Sequence, residues 1–109
     1  MIGTAEFERM KNTAVLVNTS RSRVVDTEAL YLALKNGQIA AAGVDVYDSE
    51  PIAENSPLLE LENIAMTPHI GSASHETREG MALMAVENML AALDGKMPPN
   101  PVNPEVFEK

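Results

Sequence analysis

The chain has 109 residues, 45% of them hydrophobic and 22% charged, with 8 Lys and Arg against 16 Asp and Glu and a net charge of −8. That length and balance fit one soluble globular domain or part of one, and exclude a disordered chain. The acidity argues against a nucleic-acid partner, the lack of Cys excludes a disulfide scaffold or thiolate metal centre, and no apolar run approaches the roughly 18–20 residues of a membrane span.

The N-terminal stretch Met1–Lys11 carries acidic residues and no long apolar core, so no secretory leader is expected and the expected location is the cytoplasm. Ala5 to Lys11 reads as a short helix, with Glu6 and Glu8 near its start and Arg9 and Lys11 near its end, closed by Asn12. Ala14-Val15-Leu16-Val17 follows as a short continuous apolar run, the pattern of a parallel strand buried on both faces. Asn18 to Arg23 is a polar loop. Asp26 or Thr27 caps a helix through Lys35, and Asn36-Gly37 stops it. Ile39 to Val46 is a second apolar run. A linker with Pro51, Asn55 and Pro57 leads to a helical turn near Leu58 to Leu61, and Ile64-Ala65-Met66 is a third run, stopped by Thr67-Pro68-His69. Ser74 caps a long helix to about Leu93, with Glu76 in its first turn and Gly95 beyond its end. Its Met81, Met84 and Met89 are expected to fill a core. Residues 97–109 form a Pro-rich tail, expected to be extended and to cross the surface, after a domain over residues 1–96.

Strands alternating with helices predict a parallel α/β sheet, whose ligand crevice lies beyond the carboxyl ends of the strands. Arg21 follows the first strand, Asp45 and Glu50 the second, His69 the third. An arginine fork can grip a substrate carboxylate with two hydrogen bonds. A histidine can give a proton to a carbonyl oxygen as hydride reaches the carbon, and Glu50 beside it favours the imidazolium and holds the ring. Together they would reduce a 2-keto acid or oxidise a 2-hydroxy acid, with hydride from a cofactor. Each residue has a plainer alternative. Arg21 fits a solvated loop charge, His69 a helix-entry residue and Glu50 ordinary turn polarity. Asp45, at the end of an apolar run, is expensive to bury without a partner and points to function. His75 is expected to be exposed, and Glu54 to Glu62 to form a solvated face. Two His six residues apart, without Cys, give no metal-ligand spacing.

Val17-Asn18-Thr19-Ser20-Arg21, Gly43-Val44-Asp45-Val46 with Glu50-Pro51, and Thr67-Pro68-His69-Ile70-Gly71 resemble, in order and rough spacing, the D-isomer-specific 2-hydroxyacid dehydrogenases. The resemblance covers nearly the whole chain. Gly71-Ser72-Ala73-Ser74 and the closing Pro98-Pro99-Asn100-Pro101-Val102-Asn103 are most similar to the glyoxylate and hydroxypyruvate reductase branch; phosphoglycerate dehydrogenases share the same three motifs. The resemblance implies the C-terminal half of a Rossmann-type doubly wound parallel sheet, of about three strands with flanking helices and a long C-terminal helix. It implies catalytic roles for Arg21, Glu50 and His69. It implies that Asp45 contacts the nicotinamide amide, and that Thr19, Ser20, Gly71 and Ser72 line the nicotinamide pocket. The implied cofactor is NAD or NADP, and the implied substrate a small 2-keto or 2-hydroxy acid.

Two departures stand out. The family usually has glycine after the catalytic arginine; here Ser22 and then Arg23 follow, so Arg21 could be aimed differently and Arg23 could compete for the carboxylate. The six glycines also form no Gly-x-Gly-x-x-Gly, the fingerprint that cradles the pyrophosphate. The chain thus resembles the C-terminal third of such an enzyme. The first strand is expected to have an unpaired edge, and the chain to form a homo-oligomer or join the remainder of a parent chain. Two other readings stay open: a folded remnant that self-associates without catalysis, and a small-carboxylate binder using Arg21 and Arg23 without chemistry.

Overall fold

The computed structural model describes residues 1–107, which divide into two compact units, Met1–Gly71 and the residues from Ser72 onward.

The first unit is a three-stranded parallel sheet in the order β1-β2-β3 with helices on one face. The strands are β1 (Val15–Asn18), β2 (Ala41–Val44) and β3 (Ile64–Met66). Val17 lies opposite Gly43, which lies opposite Ala65. The helix α1 (Thr4–Phe7) is shorter than expected, because the chain turns after fully buried Phe7 and Lys11 already belongs to the approach to β1. Glu6 reaches back to the Gly3 N–H at 2.8 Å and closes its first turn. The helix α2 (Thr27–Lys35) begins where the sequence indicates: the Asp26 side chain accepts the Ala29 N–H at 2.8 Å. Gly37, at φ 66°, ends it, and the Gln38 N–H reaches the Ala33 carbonyl. Ile39 belongs to the core and not to β2, which is four residues long instead of the eight of the apolar run.

The core joins Phe7, Leu16, Ala29, Leu30, Ala33, Leu34, Ile39, Ala42, Val44 and Leu58. It lies on one face of the sheet. Leu16 and Asn18 point into it, while Val15 and Val17 are 63% and 69% exposed. The expectation that this strand is buried on both faces is therefore corrected. Strand side chains alternate with period two, and this unit covers only one face. Among the described residues β1 has no partner on its outer edge.

The second unit is built on α3 (His75–Leu93). The Ser74 hydroxyl accepts the Thr77 N–H at 3.1 Å, and Gly95 at φ 69° ends the helix with the Lys96 N–H on the Ala91 carbonyl. Asn100 ties the tail back to the helix, its N–H donating to Asn88 Oδ1 at 3.0 Å. The tail is not extended throughout; Pro104–Phe107 forms a 3-10 turn, labelled η1 here. No residue of α3 is buried, so Met81, Met84 and Met89 are exposed and do not fill a core, contrary to expectation. Apolar residues occur nearly all round this helix, and no packed layer among the described residues of the unit covers them. No helix among the described residues is long and apolar enough to cross a membrane.

Candidate active site at the carboxyl ends of the strands

The three strands stop level with one another, and their following loops carry the polar residues. Asn18, the last residue of β1, is buried and organises the first loop. Its Oδ1 accepts the Ser20 N–H at 3.1 Å and the Ser20 hydroxyl at 2.9 Å, and its Nδ2 donates to the Arg21 carbonyl at 3.0 Å. These bonds fold residues 18–21 into an Asx-type turn. Arg21 leaves it in extended conformation, with Nη1 on the Ser20 carbonyl at 2.6 Å and the rest of its fork free for an anion. Ser22 opens a 3-10 turn over Ser22–Val24 and has no positive φ, so serine in place of glycine imposes no strain there.

Asp45 follows β2 and is only 3% exposed. Its Oδ1 accepts the Thr67 hydroxyl at 2.5 Å and the Ile70 N–H at 2.8 Å; its Oδ2 accepts the Gly71 N–H at 2.7 Å. These donors, Thr67 foremost and then Ile70, hold its carboxyl below the usual range. A buried carboxylate is thereby satisfied without a cation. Gly71 keeps the space beside it open: a Cβ there would stand 3.0 Å from Asp45 Oδ2 and 3.8 Å from the Thr19 Cβ. Thr19 and Ser20 are exposed at the same end of the sheet.

Glu50 and His69 meet directly, with Glu50 Oε2 2.7 Å from His69 Nδ1. The other carboxylate oxygen accepts the Tyr47 N–H at 3.2 Å. The bond to His69, then that to Tyr47, lowers the Glu50 carboxyl from its ordinary value. His69 sits in the left-handed region at φ 54°, a conformation that a non-glycine residue adopts only where its surroundings impose it. Bonds on both sides do so: its own N–H to the Thr67 carbonyl at 3.1 Å, and the next two N–H groups to Asp45. Both side chains of the pair remain partly open to solvent.

Arg21, Glu50 and His69 line one cavity of about 300 Å³ with Ser22, Val46, Tyr47 and Asp48. Arg23 does not; it lies with Met1, Asp26 and Glu28 on a different concavity. Asp45, Thr19 and Gly71 come together beside the pair, while Ser72 is exposed at the start of the second unit. Three residues carry more of the geometry than their sequence context suggests. Asn18 has a readable signal, an asparagine closing a strand before a polar loop. Thr67 and Tyr47 have none, because their hydroxyls act across strands. His75 is exposed, as expected, and Glu60 is not merely solvated: it bonds Tyr31 and lies 3.2 Å from Lys35.

The residues fit the nicotinamide end of a dinucleotide. Asp45 Oδ2 has one internal donor and can accept a carboxamide N–H, in the gap that Gly71 leaves. Nothing in the sequence supplies a Gly-x-Gly-x-x-Gly cradle for the pyrophosphate.

Known proteins point the same way. A family model described as the NAD-binding domain of D-isomer specific 2-hydroxyacid dehydrogenases matches residues 1–71. The chain is 58% identical to a glyoxylate reductase of Korarchaeum cryptofilum over 108 residues, 99% of this chain and 32% of that one. It is 52% identical to glyoxylate/hydroxypyruvate reductase B of Klebsiella pneumoniae over 106 residues, 97% of this chain and 33% of that one. Among solved structures, the TT0316 protein of Thermus thermophilus matches at 52% identity and TM-score 0.81, over 92% of this chain and 32% of that one. An NADPH-dependent glyoxylate/hydroxypyruvate reductase of Sinorhizobium meliloti, solved with NADP and malonate, matches at 35% identity and TM-score 0.85, over 94% of this chain and 32% of that one. The chain spans about a third of the length of the curated relatives it matches. With its parallel strands and its glutamate–histidine pair at their carboxyl ends, the chain belongs to the D-isomer specific 2-hydroxyacid dehydrogenase family, within the NAD-binding domain.

Proposed function

We propose that this chain provides the reacting end of an NAD- or NADP-dependent reductase of small 2-keto acids, of the glyoxylate or hydroxypyruvate type. The observation that carries the reading is the 2.7 Å Glu50–His69 pair opening on the cavity that Arg21 also lines. Arg21 binds the substrate carboxylate through the free edge of its guanidinium. Because Nδ1 of His69 faces Glu50, its Nε2 is the atom that delivers a proton to the carbonyl oxygen. The Glu50 carboxylate stabilises the imidazolium before transfer and keeps the ring aimed. A reduced nicotinamide held beside Asp45 would supply the hydride to the carbonyl carbon. Asp45 would hold the carboxamide, with Thr19, Ser20 and Gly71 bordering it. Hydride and proton added across the carbonyl give the 2-hydroxy acid; the reverse sequence oxidises it.

The same reading places residues 1–96 in the cofactor-binding domain and 97–109 in a tail, in a cytoplasmic protein. The site works in an assembly, as a homo-oligomer or with the remainder of a parent chain, a reading supported by the open outer edge of β1. That edge and the exposed apolar residues of α3 also support a second reading, a folded chain that self-associates without catalysis.

A chimera separates the two. This chain replaces the matching third of the Korarchaeum reductase, and oxidation of NADH and NADPH is followed with glyoxylate and hydroxypyruvate. We expect turnover that falls at least about a hundredfold in His69→Ala, the scale of a lost general acid. A folded chimera without turnover would sink the reductase reading and leave self-association.

A further inference from the structure

Tyr47 stands outside every role assigned above, yet it lines the cavity with Arg21 and His69 and a second, apolar one of about 380 Å³ with Pro51, Ile52, Met66 and Pro68. Its main-chain N–H donates to Glu50 Oε1 at 3.2 Å. Its hydroxyl is shared between the carbonyls of Val44, at 3.1 Å, and Thr67, at 2.9 Å, the residues that end β2 and follow β3. The Thr67 carbonyl also accepts the N–H of His69, at 3.1 Å. The contacts therefore close on themselves. Tyr47 N–H holds Glu50, Glu50 holds the His69 ring, and the His69 N–H and the Tyr47 hydroxyl meet on one carbonyl oxygen.

We propose that Tyr47 is a positioning residue that closes this hydrogen-bonded ring and sets the Glu50 carboxylate and the His69 imidazole against each other. The proposal rests on the reductase reading only where turnover is concerned. Glu50 lies five residues past Asp45 on a loop, and a loop needs fixed points to hold a side chain to hydrogen-bond tolerance. One is the Thr27 hydroxyl on Asp48 Oδ2 at 2.7 Å. Tyr47 is the one that also touches the backbone turn of His69, so it orients both partners and not the carboxylate alone. Burial foremost, and the charge of Asp45 next, push the phenol pKa up, so the hydroxyl remains a donor through the neutral range.

The test uses Tyr47→Phe, which keeps the ring and the main-chain N–H and removes only the hydroxyl. First, the 15N signals of the His69 imidazole are recorded in the 109-residue chain, in a His75→Gln background that leaves one imidazole. We expect Tyr47→Phe to move the Nδ1 signal toward its position in Glu50→Gln, and the double variant to match Glu50→Gln alone. Signals unchanged by Tyr47→Phe, or shifts that simply add in the double variant, would overturn the ring. Second, in the chimera, Tyr47→Phe should lower kcat about three- to tenfold, the worth of one partly buried hydrogen bond, with KM for the nucleotide unchanged. In a Glu50→Gln background it should lower kcat no further. An equal loss in both backgrounds, or a change in nucleotide KM alone, contradicts positioning through Glu50. If the unsubstituted chimera is inactive, the reductase reading fails, and the imidazole signals still decide the ring.

Discussion

The helices α2 and α3 have the same ends and opposite fates. Each starts on a side-chain cap, Asp26 or Ser74, and each stops at a left-handed glycine with the following N–H reaching back five residues. Yet the nine residues of α2 bury Ala29, Leu30, Ala33 and Leu34 against the sheet, while the nineteen of α3 bury none. Capping and propensity decide where a helix begins and ends, because they involve only neighbouring residues. Burial needs a partner surface from elsewhere in the chain, and only the first unit contains one. The stability of α2 is therefore tertiary, and that of α3 is local.

The largest expected break in this contrast is in the core. Phe7→Ala should cost the first unit about 3–5 kcal/mol, read by denaturant titration with residue-resolved amide exchange, and leave protection in α3 unchanged. Loss of protection in both would mean that the units unfold as one.

Acid comes next, because several groups act together. The carboxyls of Glu6, Asp45, Glu50 and Glu60 lie below their ordinary values in the first unit, against Glu76 alone in the second. A lowered folded value means stability that is complete above the unfolded value and lost as pH falls through the folded one. Exchange protection in the first unit should therefore decline below about pH 4.5, the ordinary value for Glu, and decline more than in α3. Lys35, raised by Tyr31 and then Glu60, works in the opposite sense: its share is complete below its ordinary 10.5 and lost above its folded value. Equal acid sensitivity of the two units would count against this assignment.

Smaller, and equal on the two sides, is the loss of a cap. Asp26→Ala and Ser74→Ala should each weaken their own helix by about 1 kcal/mol, seen as faster exchange in the first turn. The smallest effect is expected from Met84→Ala, within about 0.5 kcal/mol for the monomer, because the side chain is exposed. A larger, concentration-dependent loss would show that α3 is covered by another copy of the chain.

Much of the site was legible in one dimension. Arg21, Asp45, Glu50 and His69 follow apolar runs that become parallel strands, and parallel strands deliver their carboxyl ends to one edge. Their convergence on one edge was thus readable, together with both caps and both stop glycines. Their aim was not. Arg21 and Arg23 are equivalent charges on paper, and a 3-10 turn of three residues sends them to different concavities. β2 is shorter than its apolar run because Ile39 is apolar for the core and not for the ladder. The methionines of α3 are exposed and not core, because an apolar helical face says only that a partner is wanted.

The sequence by itself determined what depends on neighbours along the chain: the starts and stops of α2 and α3, the alternation of strands and helices, and the chemical types available at each strand end. Only the tertiary structure decided what depends on distance across the chain. That includes the Glu50–His69 contact, the three donors that satisfy Asp45, the single covered face of the sheet, and the shared carbonyl that joins Tyr47 to His69. Local bonds are set by spacing of a few residues, whereas these contacts close loops of about twenty, and their geometry exists only once the strands have paired.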